Sequence, residues 1–270
     1  PEAAALPDVQ GSGQVRSLRE AASLSPTLAG LIEQFTTATR AEQQGLMDAI
    51  LQAWADTSTM PTTFDGAYEG HSLTVNMQGI TTGSADYLAW ENKLSIIDSF
   101  NGRTFNAVPS GTGPVTVTLF TGTRTFLQQS YDALKSSAYQ SLELQTRLKP
   151  FLDDIQVNVT GTDITLDFTA LNADFDTRIT ADRNIGLRDL ADFTLATKAL
   201  LKDSGWCGAT LLAGYLVGAS TSAAIGTNAR IIIIGDEAAA TMGGSAGNDI
   251  VVTGMGNDYI GGGSGHDLLI

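Results

Sequence analysis

At 270 residues the chain can hold one large domain or two smaller ones, and 43% hydrophobic against 16% charged residues excludes a disordered polypeptide. Fifteen Lys and Arg against 29 Asp and Glu leave a formal charge of −14, which argues against binding a nucleic-acid phosphate backbone and favours cations as partners. A lone cysteine, Cys207, excludes an intrachain disulfide.

The chain opens Pro1-Glu2 with neither a basic n-region nor an apolar h-region, so no N-terminal signal peptide is expected. Residues 1–13, rich in Ala, Pro and Gly, are expected to form an exposed linker. Ser25-Pro26 then supplies an N-cap and a proline for the first helical position, and Leu28, Leu31, Ile32 and Phe35 share one helical face. Thr39 and Glu42 have capping-box spacing ahead of the stripe Leu46, Met47, Ile50, Leu51 and Trp54, so the two segments predict a helical pair.

Leu73, Val75 and Met77 alternate as in a strand. Tyr87, Trp90, Leu94 and Ile97 mark a helix ended near Asn101-Gly102, and Val115 to Phe120 predicts a further strand. The longest helix is expected from Thr125 to Leu148, with Pro150 closing or kinking it. Ile155, Val157 and Val159, then Ile164, Leu166 and Phe168, alternate across a Thr160-Gly161 turn and predict a β-hairpin. Helices are expected again at Leu171 to Ile179 and Leu187 to Leu201.

No charged residue lies between Ser204 and Ala229. The apolar run Trp206 to Ile225 approaches the length of a membrane span and carries Gly214 and Gly218 at GxxxG spacing. Its Thr, Ser and Gly content favours a buried helix followed by a small-residue linker, with a membrane-inserting segment as the alternative. Ile231 to Ile234 is a β-branched run suited to a strand.

Catalytic signals are sparse. Of the two histidines, His71 is the one available to a Ser-His-Asp triad, and it is as ordinary for a turn as for a base. Asp153-Asp154 and Asp174 with Asp176 have the chemistry of paired carboxylates but read more simply as helix-end and surface acids. There is no Walker A sequence and no HExxH, and Asn158-Val159-Thr160 is a glycosylation pattern by spacing alone.

The last 27 residues repeat with a nine-residue period. Column four is Gly247, Gly256 and Gly265; column six is Asp249, Asp258 and Asp267; column eight is Val251, Ile260 and Leu269. Gly243 to Gly247 also satisfies the GxSxG nucleophile pattern at Ser245, but the repeat accounts for each of those glycines. The period resembles the glycine and aspartate nonapeptide of calcium-binding parallel β-rolls in RTX (hemolysin-type) proteins. Calcium takes six to eight oxygen ligands from carboxylates and carbonyls. Glycines permit the turns that aim carbonyls inward, and the aliphatic two places after the Asp begins a short strand.

By that resemblance the metal-binding turns comprise Gly244, Ala246, Gly247, Asn248 and Asp249; Gly254, Gly256, Asn257 and Asp258; and Gly262, Ser264, Gly265, His266 and Asp267. His266 holds the variable fifth column beside Asn248 and Asn257 and is read as a turn residue rather than a ligand. In the family each unit is half a coil, so units two apart share an ion. Asp249 and Asp267 are thereby expected to flank one Ca2+, with Asp258 on the opposite edge lacking a partner.

Residues 5–26, 53–57, 127–134 and 144–150 further resemble segments of large proteobacterial RTX proteins related to the iron-regulated group. There the segment lies between a self-processing module and the calcium array. That module carries an Asp-Pro bond and Asp-rich loops absent from this chain, so self-cleavage is not assigned to it.

The resemblance implies type I secretion, an extracellular or bacterial cell-surface location, and a fragment whose repeat array is truncated. The expected fold class is α+β: an α-rich domain with small β-hairpins over 14–229, then the start of a calcium-binding parallel β-roll over 230–270. The function expected is a non-catalytic structural or adhesive module that folds on extracellular calcium, with a cell-surface or matrix ligand as a further partner. A membrane-active toxin, and a secreted hydrolase or carbohydrate-active enzyme with an RTX tail, are the alternatives.

Overall fold

The computed structural model describes residues 6–58, 66–68, 71–102, 113–216, 231–233, 241–243, 250–252, 259–261 and 268–269. The chain divides into two compact units, Pro1–Arg147 and Leu148–Ile270. This boundary falls inside the stretch 14–229 that was expected to be one domain.

In the first unit, α1 (Leu18–Leu24), α2 (Pro26–Thr37) and α3 (Arg40–Ala55) follow one another with short connections. Ser25 caps α2 by accepting from the Leu28 amide (3.2 Å), and Pro26 stands at the helix start, where no amide hydrogen is needed. The capping box of α3 is formed: the Glu42 carboxylate accepts from the Thr39 amide (2.8 Å) and hydroxyl (2.7 Å). Those bonds hold the Glu42 carboxyl below its ordinary pKa, the backbone amide contributing most.

The apolar stripes of these helices meet in one core, where Leu28, Ile32, Phe35, Ile50 and Leu51 are fully buried. Burial of each such side chain contributes about 1.5–3 kcal/mol. Trp54 packs edge-on against Phe100 at 4.9 Å and donates its indole N–H to the Arg16 carbonyl (2.9 Å).

A small sheet follows. β1 (Gly66–Tyr68) pairs antiparallel with β2 (His71–Met77), and β2 pairs parallel with β3 (Val115–Leu119) after a crossover through α4 (Ala85–Asn101). Val75, Met77 and Leu119 face a second core with Tyr87 and Leu94 of α4. The Tyr87 hydroxyl donates to the Val75 carbonyl (2.8 Å), which ties helix to strand. The parallel pairing reflects the helix between the two strands, since parallel neighbours need such a crossover.

The described part of the expected linker 1–13, residues 6–13, is tied to the first unit rather than free. Leu6 and Val15 are buried in the first core, Arg19 donates to the Leu6 carbonyl (2.9 Å), and Gln145 donates to the Asp8 carbonyl (2.7 Å). Ser12 donates to the Phe100 carbonyl (2.8 Å), and the Gln14 amide donates to the Ser99 carbonyl (2.9 Å). The glycines there serve close packing: Gly13 (φ +60°) lies against Gly102 (φ +70°), the left-handed C-cap of α4.

The long helix α5 spans Thr121–Glu143, so it starts earlier and ends earlier than its expected range Thr125 to Leu148. Pro150 neither closes nor kinks it. It lies in the first turn of α6 (Lys149–Asp153), a position where its missing amide hydrogen costs nothing.

In the second unit, β4 (Gln156–Thr160) and β5 (Asp163–Asp167) form the expected antiparallel hairpin, with Gly161 at φ +65° in the turn. Next come α7 (Thr169–Ala181), α8 (Arg183–Leu201) and α9 (Gly208–Leu216). Phe151 of α6 stacks on Phe175 of α7 at 4.2 Å, and Phe193 of α8 meets both Phe175 (5.6 Å) and Trp206 (5.6 Å) edge-on. Trp206 donates to Asn172 Oδ1 (3.1 Å), and Tyr215 of α9 donates to Asp176 of α7. Among the described residues five short strands follow: β6 (Ile231–Ile233), β7 (Thr241–Gly243), β8 (Ile250–Val252), β9 (Tyr259–Gly261) and β10 (Leu268–Leu269).

Candidate functional site

The nine-residue period is carried into the strands. β8, β9 and β10 each begin at the residue after a column-six aspartate, and the column-eight aliphatics Val251, Ile260 and Leu269 lie within them. Consecutive strands belong to different sheets. One sheet is ordered β10-β8-β6 and the other β7-β9, all pairs parallel.

Leu269 is paired with Val251, which is paired in turn with Ile232, and Ile260 is paired with Met242. Large apolar residues are therefore in register across both sheets. Parallel pairs this short need to stack repeatedly to bury such residues, the logic of a solenoid in which each unit contacts its neighbours.

The register also orders the acids by sequence. Asp249 directly precedes Ile250 and Asp267 directly precedes Leu268, and Ile250 and Leu268 are partners. On the other sheet, Asp258 precedes Tyr259, but the residue before its partner Thr241 is Ala240. Upstream of Asp249, the residue before the partner Ile231 is Arg230. One pair of adjacent strand starts thus follows two carboxylates. Carboxylates are hard oxygen donors, which suit a cation such as Ca2+ and suit a thiophilic metal poorly.

The turn residues themselves, Gly244, Ala246, Gly247, Asn248, Asp249, Gly254, Gly256, Asn257, Asp258, Gly262, Ser264, Gly265, His266 and Asp267, lie outside the described residues, as does Ser245. Among the described residues no group of three His, Cys, Asp or Glu side chains is gathered as for a metal.

His71 belongs to β2 opposite Tyr68, and its side chain lies outside the described residues. Asp153 is bound by Lys149 (2.6 Å), and Asp176 accepts from Tyr215, whose phenol is pushed above its usual pKa by burial and by that carboxylate. Of the apolar run Trp206 to Ile225, residues up to Leu216 are described and hold α9; 217–225 lie outside them. No helix among the described residues is long and apolar enough to cross a membrane.

Sequence reasoning did not find a polar cluster on the first unit. Asp48 accepts from the Tyr131 hydroxyl (2.7 Å) and from Lys135 (2.8 Å), while Lys93 stands over the Trp90 ring at 5.1 Å and donates to Gln128 (2.8 Å). Partial burial opposes ionisation of Asp48, but the bonds from Lys135 and Tyr131 outweigh it, and the carboxyl pKa is lowered. Its residues join α3, α4 and α5, which marks it as interhelical bonding. Only the i, i+4 spacing of Tyr131 and Lys135 hinted at it in the sequence.

Over 193 residues the chain is 28% identical to the iron-regulated protein FrpA of Neisseria meningitidis serogroup C. The likeness agrees with the iron-regulated group that the sequence motifs resemble. It covers 63% of this chain and 17% of that protein, so the chain matches only a small part of its relative's length. No family model matches the chain, and no solved structure matches it.

Proposed function

We propose that this chain is a calcium-binding segment of a secreted RTX-type protein, in which the C-terminal repeats form a parallel β-roll and the helical part is a structural or adhesive module. The observation that carries this reading is the parallel pairing of strands two repeats apart, β8 with β10, each directly following an aspartate of the nine-residue period. The similarity to an iron-regulated protein over most of the chain supports the same assignment.

The chemistry follows from linkage. Where calcium is scarce, the aspartates of columns that stack repel one another, and the glycines of each turn favour an unfolded chain. A net charge of −14 adds to that repulsion. Bound calcium supplies the missing counter-charge and oxygen-ligand energy, so folding of the roll is driven by the ion concentration outside the cell. In this reading Asp249 and Asp267 hold the ion, and turn carbonyls complete its shell.

Circular dichroism during calcium addition tests the proposal. A gain of β signal that magnesium does not reproduce is expected, since magnesium demands a tighter octahedral shell and dehydrates reluctantly. A spectrum unchanged up to the millimolar calcium of extracellular space would refute it.

A further inference from the structure

The β2–β3 pair is parallel yet open on one side. Parallel strands are ordinarily covered on both faces. Here Val75, Met77 and Leu119 turn one face to α4, while Thr74, Asn76, Thr116 and Thr118 are exposed on the other. The register sets Thr74 beside Thr116 and Asn76 beside Thr118, in strands about 4.8 Å apart. Among the described residues none of these four side chains takes part in a hydrogen bond. Two more residues extend the face where the strands end. Phe120 follows Thr118 at i+2 with an extended backbone (φ −72°, ψ 159°), so its ring continues the outer side, and it is 57% exposed. Gln78, exposed at i+2 from Asn76, accepts the Thr121 amide at its Oε1 (3.4 Å). That bond holds the carboxamide beside the Phe120 backbone and leaves the Nε2 donors outside it.

The chemistry of these six side chains selects the ligand. None is charged, so the face offers no counter-charge to an acidic or a basic partner, and the net charge of −14 repels polyanions. A purely apolar partner would cover the ring but leave the hydroxyls and carboxamides without hydrogen bonds. A neutral sugar meets both demands. One side of a pyranose ring presents C–H groups to the negative face of an aromatic ring, and its hydroxyls both donate to and accept from Thr, Asn and Gln.

We propose that the outer face of the β2–β3 pair binds a neutral oligosaccharide, with the Phe120 ring stacked on one sugar unit and Asn76, Gln78 and the threonines bonded to its hydroxyls. This rests on the reading of the helical part as an adhesive module and gives that module its class of ligand.

The test is saturation-transfer difference NMR on the whole chain with cellohexaose, chitohexaose and maltohexaose as neutral probes and hexagalacturonate as a charged counterpart. At least one neutral hexaose is expected to bind saturably. Phe120→Ala should weaken that binding at least about tenfold and Asn76→Ala at least about threefold. Leu200→Ala, which removes another exposed apolar side chain (69%) from α8, should leave it unchanged. Far-ultraviolet circular dichroism of each variant checks that its helices are intact. Binding of none of the three neutral probes, binding that survives Phe120→Ala undiminished, or tighter binding of hexagalacturonate would each overturn the proposal. Calcium-induced β signal is recorded on the same samples, so a chain that responds to calcium and binds none of the sugars refutes this site without refuting the calcium-dependent roll.

Discussion

Leu268 is the parallel partner of Ile250, and each directly follows an aspartate, Asp267 and Asp249. Tyr259 follows Asp258 but is paired with Thr241, which follows Ala240. One sheet therefore has two neighbouring strands that each follow an aspartate, and the other has none. If Asp249 and Asp267 share an ion, the single variant Asp249→Ala is expected to weaken calcium binding at least about tenfold, whereas Asp258→Ala changes it by less than about threefold. Equilibrium binding with a calcium-selective electrode separates the two, and equal losses would contradict this asymmetry.

Gly13 and Gly102 lie backbone to backbone. A Cβ on Gly13 would stand 2.3 Å from the Gly102 amide nitrogen, and one on Gly102 would stand 2.9 Å from the Gly13 Cα. Both also have positive φ. Gly13→Ala is expected to cost about 1–3 kcal/mol in urea unfolding, from left-handed strain plus a contact that backbone cannot relieve cheaply. Gly79→Ala provides the control, since Gly79 has a positive φ (+77°) but nothing within 4 Å of its added Cβ. A loss no larger at Gly13 than at Gly79 would show that the close approach contributes nothing.

Gln43 is fully buried and donates to the Phe35 carbonyl (2.9 Å) near the end of α2. Its Oε1 accepts from Arg147 at 3.4 Å. Gln43→Met keeps the volume and removes both functions, leaving the Phe35 carbonyl without this donor. The Phe35 carbonyl keeps the longer bond from the Ala38 amide (3.4 Å), so the expected loss is about 1 kcal/mol, the net worth of a buried hydrogen bond. Chemical denaturation that gives a midpoint equal to wild type would show that the bond is dispensable.

Asp48 and Tyr131 give the first unit a pH signature at both ends. The lowered pKa of Asp48 means that its contribution is present above its ordinary value of 3.8 and is lost as pH falls through the folded-state value. The Tyr131 phenol is raised above its ordinary 10, by burial first and then by Asp48, so its contribution is present below 10 and is lost as pH rises beyond that. The Asp48 side chain is 63% exposed, so Asp48→Asn is expected to lower stability at neutral pH by less than about 1 kcal/mol. In an ultraviolet titration the same variant should bring Tyr131 ionisation partway back toward normal, since burial remains. An unchanged phenol titration would rule out the carboxylate's share.

The helices were legible because their signals are local. Ser25-Pro26, the Thr39 and Glu42 box, and the stripe from Leu46 to Trp54 each act within a few residues, and α2 and α3 start where those signals say. The hairpin register followed from alternation across Gly161. Its exposure did not, because alternation predicts a shared face without saying what covers it. The burial of Leu6 depends on Arg19, and the place of Gly13 depends on Gly102; contacts at such separation leave no pattern in a window of sequence. The parallel pairing of β2 with β3 is hidden for the same reason, being set by where α4 packs. Pro150 was ambiguous locally, since a proline suits the first turn of a new helix as well as the end of an old one. In the repeats, the period fixed which residues begin strands, while the turns that hold the candidate ligands lie outside the described residues.

The central claim is most directly tested by isothermal calorimetry of calcium binding to the intact chain and to the double variant Asp249→Ala plus Asp267→Ala, with the β content followed in parallel. Saturable binding accompanied by a gain of β signal in the wild-type chain, with both lost in the double variant, is the predicted result. Binding that survives removal of both aspartates, or a wild-type chain that takes up no calcium, would contradict the account.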